Sequence, residues 1–259
     1  MTVVDVGQGD SLFLRDVTGK TLLIDVGGKV GFGKKEAWQE CFSDSNAERT
    51  LIPYLKSRGV GKIDQLVLTH TDADHMGDML VLAQEMPIGE VLVSQGSLTK
   101  TDFVAKLQVM KTKVRALQVG DMLPIMGSRL QVLYPHDVGD GGNNDSMVLY
   151  GQLLGKRFLF TGDLEKEGEQ DLMATYSHLP VDVLKAGHHG SKGSSSPEFL
   201  AHISPQMALI SAGEKNRYKH PHQETLERFN QQGLRIYRTD QEGAIRFRGL
   251  THWQIETVR

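Results

Sequence analysis

The stretch Ile63-Asp64-Gln65-Leu66-Val67-Leu68-Thr69-His70-Thr71-Asp72-Ala73-Asp74-His75 decides how this chain is read. Residues 63–68 form an apolar run suited to a buried strand, and residues 76–86 carry helical spacing. Between them stand His70, Asp72, Asp74 and His75. Strand ends project side chains into a loop cleft, so these four can converge on one spot. Imidazole and carboxylate are standard ligands of divalent transition metals. A solvated acidic turn capping the helix is the competing reading. It uses Asp72 and Asp74 but gives no reason for a histidine at each end of the run.

The same arrangement of apolar strand followed by metal-type residues recurs along the chain. Thr161-Gly162-Asp163 follows the apolar residues 157–160, and its acid can either bridge two ions or cap the helix expected over 165–176. Gly187-His188-His189-Gly190-Ser191 follows the strand at 181–185. One of its two histidines suffices as a ligand, and His188 is favoured because it comes first after the strand. Asp25 closes the strand at 21–25. Several strand ends at one edge make a composite site, the bottom-up case for a dinuclear centre. Two ions about 3.5–4 Å apart would activate water, polarise the substrate oxygen and stabilise the leaving group.

Short strands are expected over 3–6, 11–14 and 21–25, with a hairpin turn at Val17-Thr18-Gly19-Lys20. A helix follows over 47–58, with Pro53 early in it or kinking it. Strand, helix and strand alternate over 89–119, and strands return at 129–134, 146–154 and 156–161. Ser196-Pro197 is the expected start of a helix. A further helix over 222–232 precedes strands at 234–239, 244–248 and 252–257. Two β-rich halves, each with helices, imply two mixed sheets packed face to face with helices on the outer faces. The whole of 1–259 is read as one α/β domain.

Composition excludes several classes. The chain has 259 residues, 39% hydrophobic and 24% charged, with a net charge of −3, so its surface as a whole does not attract polyanions. No apolar run reaches the roughly 20 residues that span a bilayer. The lone Cys41 leaves no internal disulfide partner and no Cys-rich zinc site. The first strand begins almost at once, so the chain is read as a domain cut from a longer one. A short enzyme starting on its first strand is the other reading.

The order Asp25, His70-x-Asp72-x-Asp74-His75, Asp163, His188/His189 resembles the metallo-β-lactamase superfamily, over nearly the whole chain. Asp5-Val6-Gly7-Gln8-Gly9-Asp10, Asn143-Asn144-Asp145-Ser146, His188-His189-Gly190-Ser191 with Ser194-Ser195-Ser196, and Asn216-Arg217-Tyr218-Lys219-His220-Pro221 narrow it. Together they look like the β-lactamase-like domain of ComEC-type DNA-uptake proteins. The resemblance implies an αββα sandwich and two ions. His70, Asp72 and Asp163 would hold one; Asp74, His75, Asp163 and His188 or His189 the other. Asp25 would orient a ligand from behind. The commoner pattern has His where Asp72 stands, and another His near Asn143-Asn144-Asp145-Ser146. Fewer imidazoles and more carboxylate favour Mn²⁺ as the working ion, with Zn²⁺ the competitor and one position weakly held.

The resemblance further implies a phosphodiesterase, a nuclease degrading the non-transported strand of DNA during natural transformation. Its expected setting is the extracytoplasmic face of the membrane, beside a channel in the same parent protein. Asp74 would orient the attacking water and accept its proton, and His220 would protonate the leaving oxygen or hold a phosphate, unless it is a surface helix cap. Single-stranded DNA would be gripped by Lys34 and Lys35 with Phe32 and Trp38 nearby, by Lys185, Asn216, Arg217 and Tyr218, and by Asn144, Ser146, Ser191, Ser194 and Ser195. A small-molecule ester, lactone or cyclic-nucleotide hydrolase is the second reading, and a non-catalytic DNA-binding module the third.

Overall fold

A computed structural model describes residues 1–29, 45–249 and 254–258. The first sheet is built from β1 (Thr2–Val3), β2 (Leu12–Arg15), β3 (Thr21–Ile24), β4 (Ile63–Leu68), β5 (Ile88–Ser94) and β6 (Lys113–Leu117). The second takes β7 (Met122–Ile125), β8 (Ser128–Tyr134), β9 (Val148–Leu153), β10 (Lys156–Phe160), β11 (Val183–Lys185), β12 (Met207–Ile210) and β13 (Arg235–Arg238). The chain then returns to the first sheet with β14 (Ala244–Arg248) and β15 (Gln254–Val258), giving the order β15-β14-β1-β2-β3-β4-β5-β6 against β13-β12-β11-β10-β9-β8-β7. The two mixed sheets and outer helices of the sequence reading are therefore present.

Strand periodicity explains the layers. Alternate side chains leave a strand on opposite faces. On β3 and β4, Leu22, Ile24 and Val67 point between the sheets, where they meet Leu130, Val132, Leu149, Phe158 and Phe160. Leu23, Leu66 and Leu68 point outward, beneath Leu51, Leu55, Met79, Leu82 and Phe103. On the far side Leu159, Leu184 and Ala208 pack under Leu172, Phe199, Leu200 and Phe229. Both faces of these strands are buried, so they read as continuous apolar runs without polar alternation.

Several boundaries differ from expectation. Strand β1 ends at Val3, because the Gly7–Asp10 turn leaves the sheet. The expected helix at 76–86 is two, α2 (Ala73–Met76) and α3 (Met79–Glu85). Gly77 sits between them at a close backbone approach, where a Cβ would lie 2.3 Å from the Ala73 carbonyl oxygen. Residues 47–51 wind as a wider π turn before α1 (Ile52–Ser57), which has Pro53 in its first turn. Strand β7 was not anticipated. Helices α4 (Thr101–Met110), α5 (Lys166–Thr175), α6 (Pro197–Ile203) and α7 (Gln223–Gln231) follow the sequence reading closely, and α8 (Thr239–Glu242) is an unanticipated short turn. At α6 the Ser196 hydroxyl accepts the Phe199 N–H at 3.3 Å, the expected cap. Among the described residues no helix is long and apolar enough to cross a membrane.

What positions the site is parallel pairing. Strands β3 to β6 run parallel, as do β10 to β13. The residues that follow β3, β4, β10, β11 and β12 thus emerge beyond carboxyl ends of parallel strands, where α/β sheets hold ligands.

Candidate metal centre

Asp25, His70, Asp163 and His189 all follow the ends of such strands, and Asp74 and His75 stand on α2. The His75 ring lies at the middle. Its Nδ1 faces Asp25 Oδ2 at 2.8 Å, and its Nε2 lies 2.9 Å from Asp163 Oδ1 and 3.3 Å from His189 Nε2. His189 Nε2 is also 3.2 Å from Asp74 Oδ2 and 3.4 Å from Asp163 Oδ2. Asp25 is fixed in turn by the Thr69 backbone N–H and hydroxyl, which donate to it at 2.8 and 2.7 Å. Helix capping, the competing reading, is not how these acids are used. Asp72 precedes α2 and Glu165 precedes α5 without either side chain capping the helix, and Asp163 lies two residues further back.

The donor set fits metal. One donor atom from each of Asp10, His75, Asp163 and His189 lies within 4.8 Å of the others, with Asp10 on the Nδ1 side of His189 and Asp74 on its Nε2 side. With both Nδ1 atoms facing acceptors, His75 and His189 turn their Nε2 atoms to each other and to two carboxylates, where loss of the Nε2 protons would leave lone pairs aimed at one point. Such a cluster calls for a cation. His70 Nε2 is fully buried yet has no hydrogen-bond partner, and Asp72 Oδ2 lies 4.0 Å from it. Burial, then the charge of His75, pushes His70 down to about 3, so it is a neutral ring with a lone pair at ordinary pH.

Charge in the centre is arranged to match. Burial pulls His75 down, but Asp163 and Asp25 outweigh it and hold His75 well above its usual range. His189 is raised likewise, against burial, by Asp163, Asp10 and Asp74. Asp163 is held well below the carboxylate range by His189 and His75, again against burial. Without metal these protons stabilise the fold at and below the ordinary histidine value of 6.5, and that contribution is lost as pH climbs through the raised values. A divalent ion competes for the same lone pairs. Its affinity is expected to rise about tenfold per pH unit for each proton displaced. Calorimetric titration with Mn²⁺ across roughly pH 6 to 9 checks this; an affinity independent of pH contradicts it.

The structure separates the two adjacent histidines. His189 is buried inside the cluster, whereas His188 stands at the rim, with Nδ1 2.9 Å from Glu165 Oε1 and Nε2 3.8 Å from Asp163 Oδ2. The expected preference for His188 is therefore corrected: a left-handed step at both residues (φ 45° and 53°) turns the second ring, not the first, into the centre. Asp72, half exposed, lies at the open side.

Expected substrate contacts divide in the same way. Lys185 is corrected from a surface cation to a buried one, paired with Asp10 Oδ2 at 2.7 Å. Ser146, Ser194 and Ser195 are likewise buried and occupied, not presented to substrate. Ser146 Oγ accepts the Asp163 N–H at 3.1 Å, Ser194 Oγ donates to the Leu164 carbonyl, and the Ser195 N–H donates to Glu169. Ser191, also buried, accepts the Gly193 N–H. Asn144 accepts the Glu165 N–H at 3.0 Å, steadying the residue that holds His188. Asn216 pins its own loop, donating to the Gly213 carbonyl and accepting the His220 N–H. Lys34, Lys35, Phe32, Trp38 and Cys41 lie outside the described residues.

Tyr218 and His220 do reach the centre. With Gln8, Asp72, Asp74, Asp163, His188 and His189 they line a cavity of about 300 Å³. Gln8 and Tyr218 also line a second cavity of about 300 Å³, with Lys29, Asn46, Asn216 and Arg217. The Arg217 guanidinium lies 4.7 Å from the Tyr218 ring centre, and Tyr218 stacks on His220 at 5.7 Å. His220 is buried, not a surface cap. Burial and then the charges of His189, His188 and His222 lower it to about 4, so it is neutral at ordinary pH. Sequence reasoning missed Gln8, Glu165 and Asp10 as site residues. The turn Gly7-Gln8-Gly9-Asp10 carried the signal, since an amide between glycines and an acid straight after them mark a backbone held close to something. A Cβ on Gly9 would lie 2.2 Å from the Asp74 carbonyl oxygen.

Fold and site together define a metal-binding αββα sandwich. The chain belongs to the metallo-β-lactamase superfamily, whose family model matches residues 4–213. It is similar to ComE operon protein 3 of Bacillus subtilis (strain 168), 38% identical over 95% of this chain and 32% of that protein. It is also similar to Competence protein ComA of Neisseria gonorrhoeae, 32% identical over 95% of this chain and 32% of that protein. The chain thus spans about a third of the length of these curated relatives. Among solved structures, the metallo-β-lactamase fold protein YhfI from Bacillus subtilis aligns with a TM-score of 0.56 at 13% identity, over 92% of this chain and 95% of its own. Zn²⁺-bound PqqB from Methylobacterium extorquens aligns with a TM-score of 0.55 at 13% identity, over 92% and 98%. At these identities the structures speak for the fold alone.

Proposed function

We propose that this chain is a metal-dependent phosphodiesterase, a nuclease that degrades the non-transported strand of DNA during uptake. The observation that carries the reading is the cluster of Asp74, His75, Asp163 and His189, of which Asp74, Asp163 and His189 line a cavity shared with Tyr218 and His220. A relative named as a competence protein supports the setting. In that setting residues 1–259 form one domain of a larger membrane protein, on its extracytoplasmic side and beside a channel.

His75, His189, Asp74 and Asp163 would hold one divalent ion tightly; His70, Asp72 and Asp163 would hold a second more loosely. Asp72, Asp74 and Asp163 match His70, His75 and His189 in number, a harder set than the commoner imidazole-rich one, which favours Mn²⁺ over Zn²⁺ in the working enzyme. Bound ions would supply activation of water and stabilisation of the charge that develops on phosphate. Asp74, kept ionised by His189 and His75 against its burial, orients the attacking water and takes up its proton. Neutral His220 is better suited to donating a hydrogen bond to a phosphate oxygen than to protonating the leaving group. Arg217, Tyr218 and His220 form a stack leading outward, and an unpaired base can continue it. A single strand meets that requirement; a closed duplex does not.

The test uses labelled single-stranded DNA with Mn²⁺. The wild type is expected to cleave it, and Asp74→Asn to cleave at least about 100-fold more slowly, the scale of a lost proton acceptor. DNA retained but uncut by both proteins overturns the nuclease reading. Activity with Zn²⁺ but not Mn²⁺ overturns the choice of ion.

A further inference from the structure

We infer that Asp10 and Lys185 form a buried clamp that positions His189 as a metal ligand. The inference rests on the metal-centre reading and not on the choice of DNA as substrate. Asp10 Oδ1 lies 3.4 Å from His189 Nδ1, which also faces the Ser211 carbonyl oxygen at 3.0 Å. The other Asp10 oxygen is 2.7 Å from Lys185 Nζ, and Lys185 donates as well to the Ala186 carbonyl at 2.9 Å. Asp10 and Lys185 are each 1% exposed.

A buried ion pair is weak evidence of a stabilising role, because apolar side chains of similar volume often do as well. This pair has a position that apolar side chains cannot imitate. Asp10 approaches His189 from the Nδ1 side, behind the ring, and its second oxygen is taken by Lys185. It therefore orients the ring and is not itself a ligand. The Nδ1 proton is donated to the Ser211 carbonyl, with the Asp10 charge on the same side of the ring, so Nε2 turns its lone pair towards Asp74 and Asp163. Asp25 does the same for His75. The two central imidazoles are thus each backed by a buried carboxylate, and orienting partners of this kind typically change metal affinity by about 10- to 100-fold.

The clamp also spans the two sheets. The Asp10 N–H donates to the Asp74 carbonyl at 3.2 Å, so the turn before β2 is docked on the backbone of the metal motif. Lys185 is the last residue of β11, four before His189. Joining Asp10 to Lys185 ties the turn docked on Asp74 to the loop that presents His189.

Calorimetric titration with Mn²⁺ alone tests the assignment. Asp10→Asn keeps the shape and removes the charge. It is expected to weaken one of the two bound ions about 10- to 100-fold and leave the other unchanged. Equal affinity for both ions in Asp10→Asn and wild type overturns the inference. A measurement on the wild type stands independently of how the variant folds. Nitrogen NMR of the His189 ring in the Mg²⁺- or Zn²⁺-loaded protein is expected to find the proton on Nδ1, and a proton on Nε2 overturns the inference. A wild type that binds no divalent ion overturns the metal centre together with this inference. One that binds ions without cutting DNA leaves the inference standing and removes only the nuclease reading.

Discussion

Asp163→Asn is expected to abolish Mn²⁺ binding and lower phosphodiesterase activity by at least about 10³-fold, more than the 10- to 100-fold that an orienting neighbour costs. Both carboxylate oxygens face the cluster. Oδ1 lies 2.9 Å from His75 Nε2, and Oδ2 lies 3.4 Å from His189 Nε2 and 3.8 Å from His188 Nε2. Its two oxygens reach the two central imidazoles separately, and the proposed role of Asp163 as a ligand to both ions uses both oxygens. An amide keeps the size but loses the charge, and as a ligand it is poor. The backbone at 163 is held separately, through its N–H to Ser146 Oγ, so the loop should persist in the variant. Thermal denaturation with and without Mn²⁺ distinguishes the outcomes. The ion should raise the wild-type Tm and leave that of Asp163→Asn unmoved. A variant that still binds two ions with wild-type affinity contradicts the shared-ligand role.

Why the metal motifs were legible while their surroundings were not follows from what a strand end encodes. His70, Asp74, His75 and Asp163 stand directly after or near apolar runs, and an apolar run announces a buried strand whose end is fixed in space. Parallel pairing then brings separate runs to one edge without further information. The choice between His188 and His189 depended instead on two backbone torsions, which adjacent identical residues between glycines do not reveal. Lys185 misled for a related reason. A lysine beside a metal motif reads as a cation for phosphate, and only its pairing partner 175 positions earlier in the chain tells otherwise. The serines at 194 and 195 read as phosphate donors, but Glu169 and the Leu164 carbonyl use their polar groups first. Strand β7 went unread because Met122-Leu123-Pro124-Ile125 is short and carries a proline, which suits only an edge, and at the edge of the second sheet it lies.

Lys185→Met is the substitution expected to cost most in stability, about 3–5 kcal/mol, the range for breaking a buried pair from one side. The Met side chain fills similar volume, so the loss is electrostatic and not a cavity. It leaves Asp10 buried and facing only His189. Lys185 is the leading opposing charge that keeps Asp10 well below the carboxylate range against the cost of its burial. Without Lys185 that burial cost is uncompensated, and Asp10 either takes up a proton or opens the turn that docks on Asp74. The destabilisation should therefore depend on Asp10. The double variant Asp10→Asn/Lys185→Met is expected to recover a large part of the loss, because a neutral amide tolerates the buried position without a cation. Denaturant unfolding of the two single variants and the double variant closes the cycle. Additive losses would mean that Lys185 acts through packing alone, and that the charge beside His189 is not what holds the two sheets in register at the metal centre.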